Sequence, residues 1–308
     1  MQKRRRLRRQ PRLLRRQLLL PSKPTSVFQN SGAEIILGPT IFLTGHFERW
    51  ASLTTLVQMS PLQSHRVPGR PTSFYWSGDT IRSRSVSEVV LSGMVDVPAP
   101  SARLMADWKR ETSSRLGLEP GDVEALPLAR ARARWPDYRH CVQAVSDWTL
   151  SLGLHEVLAS SDVALMACLG AKYHHDAAHY GGMAFCNLFL SEDRGLDLHF
   201  PSTGQRIPLA RGAVVIFDTG QPHAVIERSS SGFMVADFSG EDCTQIFLTW
   251  ELPIENSHVG NALQIAFDVD PSTSLKLESE QVWFNGARAT VCADSGRWCR
   301  DDDLDTLP

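Results

Sequence analysis

Three polar side chains are set apart by type and spacing. In Tyr173-His174-His175-Asp176-Ala177-Ala178-His179-Tyr180, His174 and Asp176 stand two positions apart. Alternate side chains of an extended chain project to the same side, so His174 and Asp176 share a face that His175 does not. One imidazole and one carboxylate from a single strand end are two ligands for a divalent cation. A facial Fe(II) site needs a second imidazole and keeps its remaining positions open for exogenous ligands. His223 is the candidate: it lies 47 residues past Asp176 and opens an expected strand. His175 is read as facing away and His179 as a loop or lid histidine. His199 is read as a paired strand residue. Asn187 interrupts the apolar run 183–190, and a buried amide needs hydrogen-bond partners, which a bound ligand or a structural neighbour can supply. Tyr173 and Tyr180 flank the motif, where a tyrosine at a strand end needs no function.

Strands must carry these residues. Short apolar runs at 163–169, 183–190, 196–200, 213–217, 224–226, 233–238 and 246–250 are separated by Gly, Asp, Ser and Pro. That spacing suits an all-β sandwich or barrel, not alternating βαβ units. In an antiparallel barrel, the strands between Asp176 and His223 can return the chain beside the first ligand pair. Further strands are expected at 262–269 and 282–284, and short ones at 35–37 and 41–43. Two support helices are expected. One runs over 101–116, with Ser101 as its cap and Leu104, Met105, Trp108 and Leu116 on one face. The other follows Trp135 with a stripe of Val142, Val145, Trp148 and Leu152 and ends near Gly153. Trp108 and Trp148 on such stripes read as core anchors.

The strand order around the motif adds a resemblance. His-x-Asp is followed by an apolar strand, then Gly-Leu-Asp-Leu-His-Phe-Pro (195–201), Arg-Gly-Ala-Val-Val-Ile-Phe-Asp (211–218) and Pro-His-Ala-Val (222–225). This resembles the iron(II)/2-oxoglutarate-dependent dioxygenase superfamily, in its prolyl-hydroxylase-like branch, over about residues 165–250. The resemblance implies a double-stranded β-helix (jelly-roll) core within a mainly β chain with support helices. It implies Fe(II) on His174, Asp176 and His223, 2-oxoglutarate as cosubstrate, and ascorbate as an accessory reductant. The activity implied is decarboxylation of 2-oxoglutarate to succinate, coupled to hydroxylation or related C–H oxidation of a substrate. Members usually carry Arg or Lys about ten residues past the distal His, where this chain has Gly232-Phe233-Met234. Arg228 is the nearest base and the expected anchor for the distal carboxylate, with Asn187 beside the cosubstrate. Lys172, Arg194, Arg206 and Arg211 are the alternatives.

Composition narrows the class. Of 308 residues, 42% are hydrophobic and 21% charged, so a sizeable core can form. No apolar stretch reaches membrane-spanning length, because charges, Gly or Pro interrupt each run. Six cysteines without a CxxC pair, two of them inside apolar runs, read as small hydrophobes of a reducing cytoplasm. Net charge is −2, but residues 1–23 hold ten bases and no acid, while Asp301, Asp302, Asp303 and Asp305 crowd the other end. Such blocks repel themselves and are expected to stay solvated. The expected organisation is therefore a basic tail (1–25), a substrate-shaping segment with support helices (26–160), the metal-binding core (161–255), and an extension with an acidic tail (256–308). A small molecule or a protein side chain is favoured as substrate over nucleic acid, since no basic face interleaved with aromatics is visible. The oligomeric state is not legible. Two other readings stay open: a cupin-like metalloprotein that does not use 2-oxoglutarate, and a non-catalytic β-barrel interaction protein.

Overall fold

The computed structural model describes residues 69–239 and 242–300. The expected strands at 35–37 and 41–43 and both charged ends lie outside these residues. The chain begins with a hairpin, β1 (Thr72–Ser77) and β2 (Thr80–Ser85), followed by β3 (Val90–Met94), α1 (Ala102–Arg110), β4 (Val123–Leu126), α2 (Leu128–Arg132) and α3 (Tyr138–Ser151). Then come β5 (Val163–Cys168), β6 (Ala171–His174), α4 (Ala177–Tyr180), β7 (Met183–Phe189), β8 (Leu196–Phe200) and β9 (Gln205–Pro208). The chain continues through β10 (Ala213–Asp218), β11 (His223–Glu227), β12 (Gln245–Pro253), β13 (Gln281–Phe284), β14 (Ala287–Val291) and β15 (Trp298–Arg300).

Two antiparallel sheets form the core, a larger one in the order β3-β10-β7-β12-β5-β4 and a smaller one in the order β6-β11-β8-β9. From β5 to β12 the chain crosses back and forth between them, which is the winding of a double-stranded β-helix. A third sheet, β15-β14-β13-β1-β2, joins the two ends of the described chain. The large sheet is covered on both faces. Along β12, Ile246, Leu248, Trp250 and Leu252 pack in one cluster with Leu104, Trp108 and Val145 of the helices, while Phe247 packs with Leu198, Phe200 and Val225 of the small sheet. Double coverage explains why runs such as β10, buried at all six positions, read as continuously apolar.

Ser101 does cap α1, its side chain accepting from the Leu104 amide, and the helix continues as a π-helical turn over Glu111–Leu116. Trp108 sits in the core edge-on to Trp135, and Trp148 lies against Gly93, where a Cβ would come within 2.5 Å of the indole nitrogen. Two expected strands are corrected. Residues 233–238 form a loop ending in the 3-10 turn Val235–Phe238: Phe233 and Phe238 stack at 5.2 Å, and the Phe238 ring fills the place a Cβ would take at Gly170. Residues 262–269 leave a short helix, Ser257–Ala262, capped by Asn256, and turn through positive φ at Gln264 and Asp268. Only Phe267 there makes a β-bridge, to Arg84. Strands before residue 161 complete the large sheet, since β3 and β4 form its two edges.

Candidate metal centre

β6 and β11 are paired in the small sheet with His174 opposite His223, which brings ligand candidates 49 positions apart in sequence to one strand end. Their ring centroids lie 4.4 Å apart. His174 Nδ1 lies 2.7 Å from the Lys172 carbonyl and His223 Nδ1 lies 2.9 Å from the Gln221 carbonyl. A carbonyl only accepts, so each Nδ1 carries the hydrogen and each Nε2 presents its lone pair. Both Nε2 atoms turn toward Asp176, at 3.8 Å from Oδ1 for His174 and 3.5 Å from Oδ2 for His223. One ligand atom from each of the three residues falls within 4.8 Å of the others, a spacing that a single divalent ion can bridge. The fixed tautomers orient the rings for that role.

The electrostatics agree with ligation. Burial, reinforced by the neighbouring His174 and opposed by Asp176, pushes the His223 imidazole down to about 4, so near neutrality it is an uncharged donor. The loop carrying Asp176 is held from several sides. Its backbone amide donates to the Thr219 carbonyl at 2.7 Å, and the Thr219 hydroxyl lies 2.7 and 2.8 Å from the carbonyls of Tyr180 and Met183. Next to Thr219, Asp218 forms a fully buried pair with Arg84, with contacts of 2.6 and 2.7 Å, and also accepts from the Ser87 amide. Arg84 in turn donates to the Gly181 carbonyl at 2.7 Å. Neither Thr219 nor Arg84 was marked by sequence reasoning, since their roles arise from backbone contacts between distant segments.

The other histidines point elsewhere. His175 lies over Trp298 at 5.3 Å, His199 accepts or donates at Nδ1 to the Tyr173 hydroxyl at 2.6 Å, and His179 is exposed on α4. Tyr173 therefore faces away from the triad. Tyr180 turns toward it, packing edge-on against Phe185 at 5.1 Å.

Rows of side chains between the two sheets adjoin this centre. Phe217 lies 4.8 Å from His223, and Phe217, Phe185 and Glu251 are in register across β10, β7 and β12. The next inward-facing row is Val215, Asn187 and Thr249. Asn187 is buried, and its side-chain oxygen and the Thr249 hydroxyl have no hydrogen-bond partner among the described residues. Further along β12, both amide atoms of the buried Gln245 are likewise unmatched. Buried polar atoms of this kind ask for a polar occupant. Thr249 and Glu251 were missed in the sequence, although alternating polar residues within an apolar strand were the available sign.

Arg228 does not fit the expected anchoring role. It follows β11 at the end opposite His223, and its guanidinium is engaged by Asp197 at 2.8 Å and by Asp193 at 2.9 and 3.0 Å. Arg194 donates to the Asp242 carbonyl, Arg206 to the carbonyls of Arg228 and Ser230, and Arg211 pairs with Glu192. Lys172 is exposed. Among the described residues, β5, β7, β8, β10, β11 and β12 contain no Lys or Arg on either face.

No family model matches the sequence, and no curated protein is significantly similar to it. Solved structures do overlap with it. A Pseudomonas putida prolyl-4-hydroxylase is 17% identical, with a TM-score of 0.32, over 53% of this chain and 92% of that one. A viral collagen prolyl hydroxylase from Paramecium Bursaria Chlorella virus-1 is 11% identical, with a TM-score of 0.31, over 53% and 88%. The non-heme alpha-ketoglutarate-dependent epimerase SnoN of nogalamycin biosynthesis is 13% identical, with a TM-score of 0.30, over 53% and 78%. The fold assignment rests on the strand order above, and the chemistry on the triad's own geometry. No helix among the described residues is long and apolar enough to cross a membrane.

Proposed function

We propose that this chain is an Fe(II)- and 2-oxoglutarate-dependent oxygenase, with the iron held by His174, Asp176 and His223. The convergence of two pinned imidazoles and one carboxylate on a single point carries the reading. An ion held by these three residues would keep coordination positions for exogenous ligands. When bound, the iron supplies oxidative decarboxylation of the 2-oxo acid and oxidation of a C–H bond, with succinate as the coproduct.

The protein's own residues bind, orient and exclude. The carbonyls of Lys172 and Gln221 keep each Nε2 aimed at the metal, and Thr219 holds the Asp176 backbone. Phe185, Phe200 and Phe217 line the space beside His223 and keep water from it. Asn187 and Thr249, one row inward, offer amide and hydroxyl groups to the far end of the 2-oxo acid in place of a base. The test is turnover: iron-loaded protein should consume O2 and 2-oxoglutarate and form succinate slowly without added substrate, and His223→Ala should abolish it. Failure of the wild-type protein to make succinate would sink the proposal.

One observation favours a second reading, a metalloenzyme with the same triad that does not use 2-oxoglutarate: among the described residues, β5, β7, β8, β10, β11 and β12 contain no Lys or Arg. That reading expects stoichiometric metal at the triad without succinate formation.

A further inference from the structure

Beside the triad, on the face of β12 turned toward the small sheet, stands a carboxylate to which the described residues supply no counter-charge. Glu251 alternates with Phe247 and Thr249, so it lies on that face, in register with Phe185. On its other flank is Asp162, whose carbonyl accepts from the Glu251 amide at 3.0 Å. Among the described residues, neither carboxylate forms an ion pair or a side-chain hydrogen bond. Glu251 is half-buried, and burial together with the Asp162 charge raises its proton affinity. Two aromatic rings stand beside it: Phe185 on the adjoining strand, and Tyr180, which packs on Phe185 at 5.1 Å and feels the charges of both Glu251 and Asp176. Asn187 and Thr249, on the row beneath and on the same face of the sheet, are each more than nine-tenths buried, with oxygen atoms unmatched among the described residues. That row lies about 7 Å further in, at the usual rise of two strand residues. This face thus carries unmatched polar atoms, and beside Glu251 the described residues supply negative charge and aromatic rings but no base.

A half-buried carboxylate without a partner is costly in the free protein, and an ammonium or guanidinium would offset that cost through charge-assisted hydrogen bonds. Ring faces within reach favour the same occupant through cation–π attraction. We propose that this part of the face is a recognition site for a cationic amine, with Glu251 as the principal contact, Asp162 as the second carboxylate and Phe185 and Tyr180 as its walls. The role of this site as the substrate subsite rests on the oxygenase reading; the binding itself does not. The substrate class is then a primary amine or guanidine, free or at the end of a basic side chain, held so that a carbon of its chain lies toward the triad.

The full chain is titrated calorimetrically at low salt with 1,5-diaminopentane, 1-pentanol and pentanoate, in metal-free and Co(II)-loaded forms. Saturable binding of the diamine is expected, with the alcohol and the acid at least about tenfold weaker. Glu251→Gln should weaken diamine binding by about tenfold or more while its melting temperature and Co(II) binding stay unchanged. A diamine that binds no more tightly than pentanol, or equally well to Glu251→Gln, overturns the proposal. The ligand series needs no variant, so a Glu251→Gln protein that failed to fold would still leave the question decided. Co(II) titration reports on the triad separately, so loss of the metal reading and loss of the amine site give different results.

Discussion

At the residue scale, the candidate centre depends on which side of each imidazole is available. Backbone carbonyls take up Nδ1 of His174 and His223, which leaves Nε2 of each for a metal, whereas His175 turns to Trp298. His174→Ala, Asp176→Ala and His223→Ala should therefore each lower Co(II) affinity by about tenfold or more, while His175→Ala should leave it unchanged; a metal titration followed by absorbance decides. His223 also gives a pH signature. Its folded imidazole holds a proton more weakly than the free side chain, with a value near 4 against 6.5. Between those values the unfolded chain binds a proton that the folded chain does not. Stability of the metal-free protein is thus full above pH 6.5 and falls as pH drops toward 4, with a slope approaching about 1.4 kcal/mol per unit. Melting temperatures of wild type and His223→Gln across that range should diverge in slope; parallel curves would contradict the buried neutral imidazole. The grouping of His174, Asp176 and His223 was legible from the His-x-Asp spacing and from the strand that His223 opens, although Asp176 lies past the end of β6 in a helical conformation. Arg228 was misread because its partners, Asp193 and Asp197, are brought to it by β8 and its preceding turn.

At the element scale, the loop between β6 and β7 is fixed by contacts that sequence spacing does not reveal. Arg84 of β2 reaches Asp218 at the end of β10, and Thr219 then clasps the Asp176 turn. Both charges are fully buried, so removing one leaves the other uncompensated. Arg84→Ala or Asp218→Ala should cost about 3–5 kcal/mol in urea unfolding and also weaken Co(II) binding, because the Thr219 clasp shifts with Asp218. A loss below about 1 kcal/mol would show that the pair does not brace the loop. Long apolar strands such as β7, β10 and β12 were legible because both their faces are covered. Short β9 escaped notice because four residues, Gln205 to Pro208, carry little pattern. The 233–238 segment looked like a strand because Phe233 and Phe238 are apolar, yet Phe238 covers Gly170 and Phe233 stacks on Phe238.

At the scale of the whole molecule, the first and last strands of the described residues pair in one sheet beside the site. β1 pairs with β13, and the hairpin of β14 and β15 meets the strand of His174: Tyr173 donates its amide to the Ala293 carbonyl, and a Cβ at Gly296 would lie 2.7 Å from the Tyr173 ring. Gly296 has φ +71, so both conformation and space call for glycine there. This pairing was not legible from local pattern, since it joins residues about 200 positions apart. On the proposed function, an iron held by His174, Asp176 and His223 would have room for a 2-oxo acid. Adding Fe(II) and then 2-oxoglutarate to the full chain without oxygen tests it directly. A weak visible charge-transfer band that needs both additions and is absent in His223→Ala is the predicted result. Iron-loaded wild-type protein that shows no new band at saturating 2-oxoglutarate would contradict it.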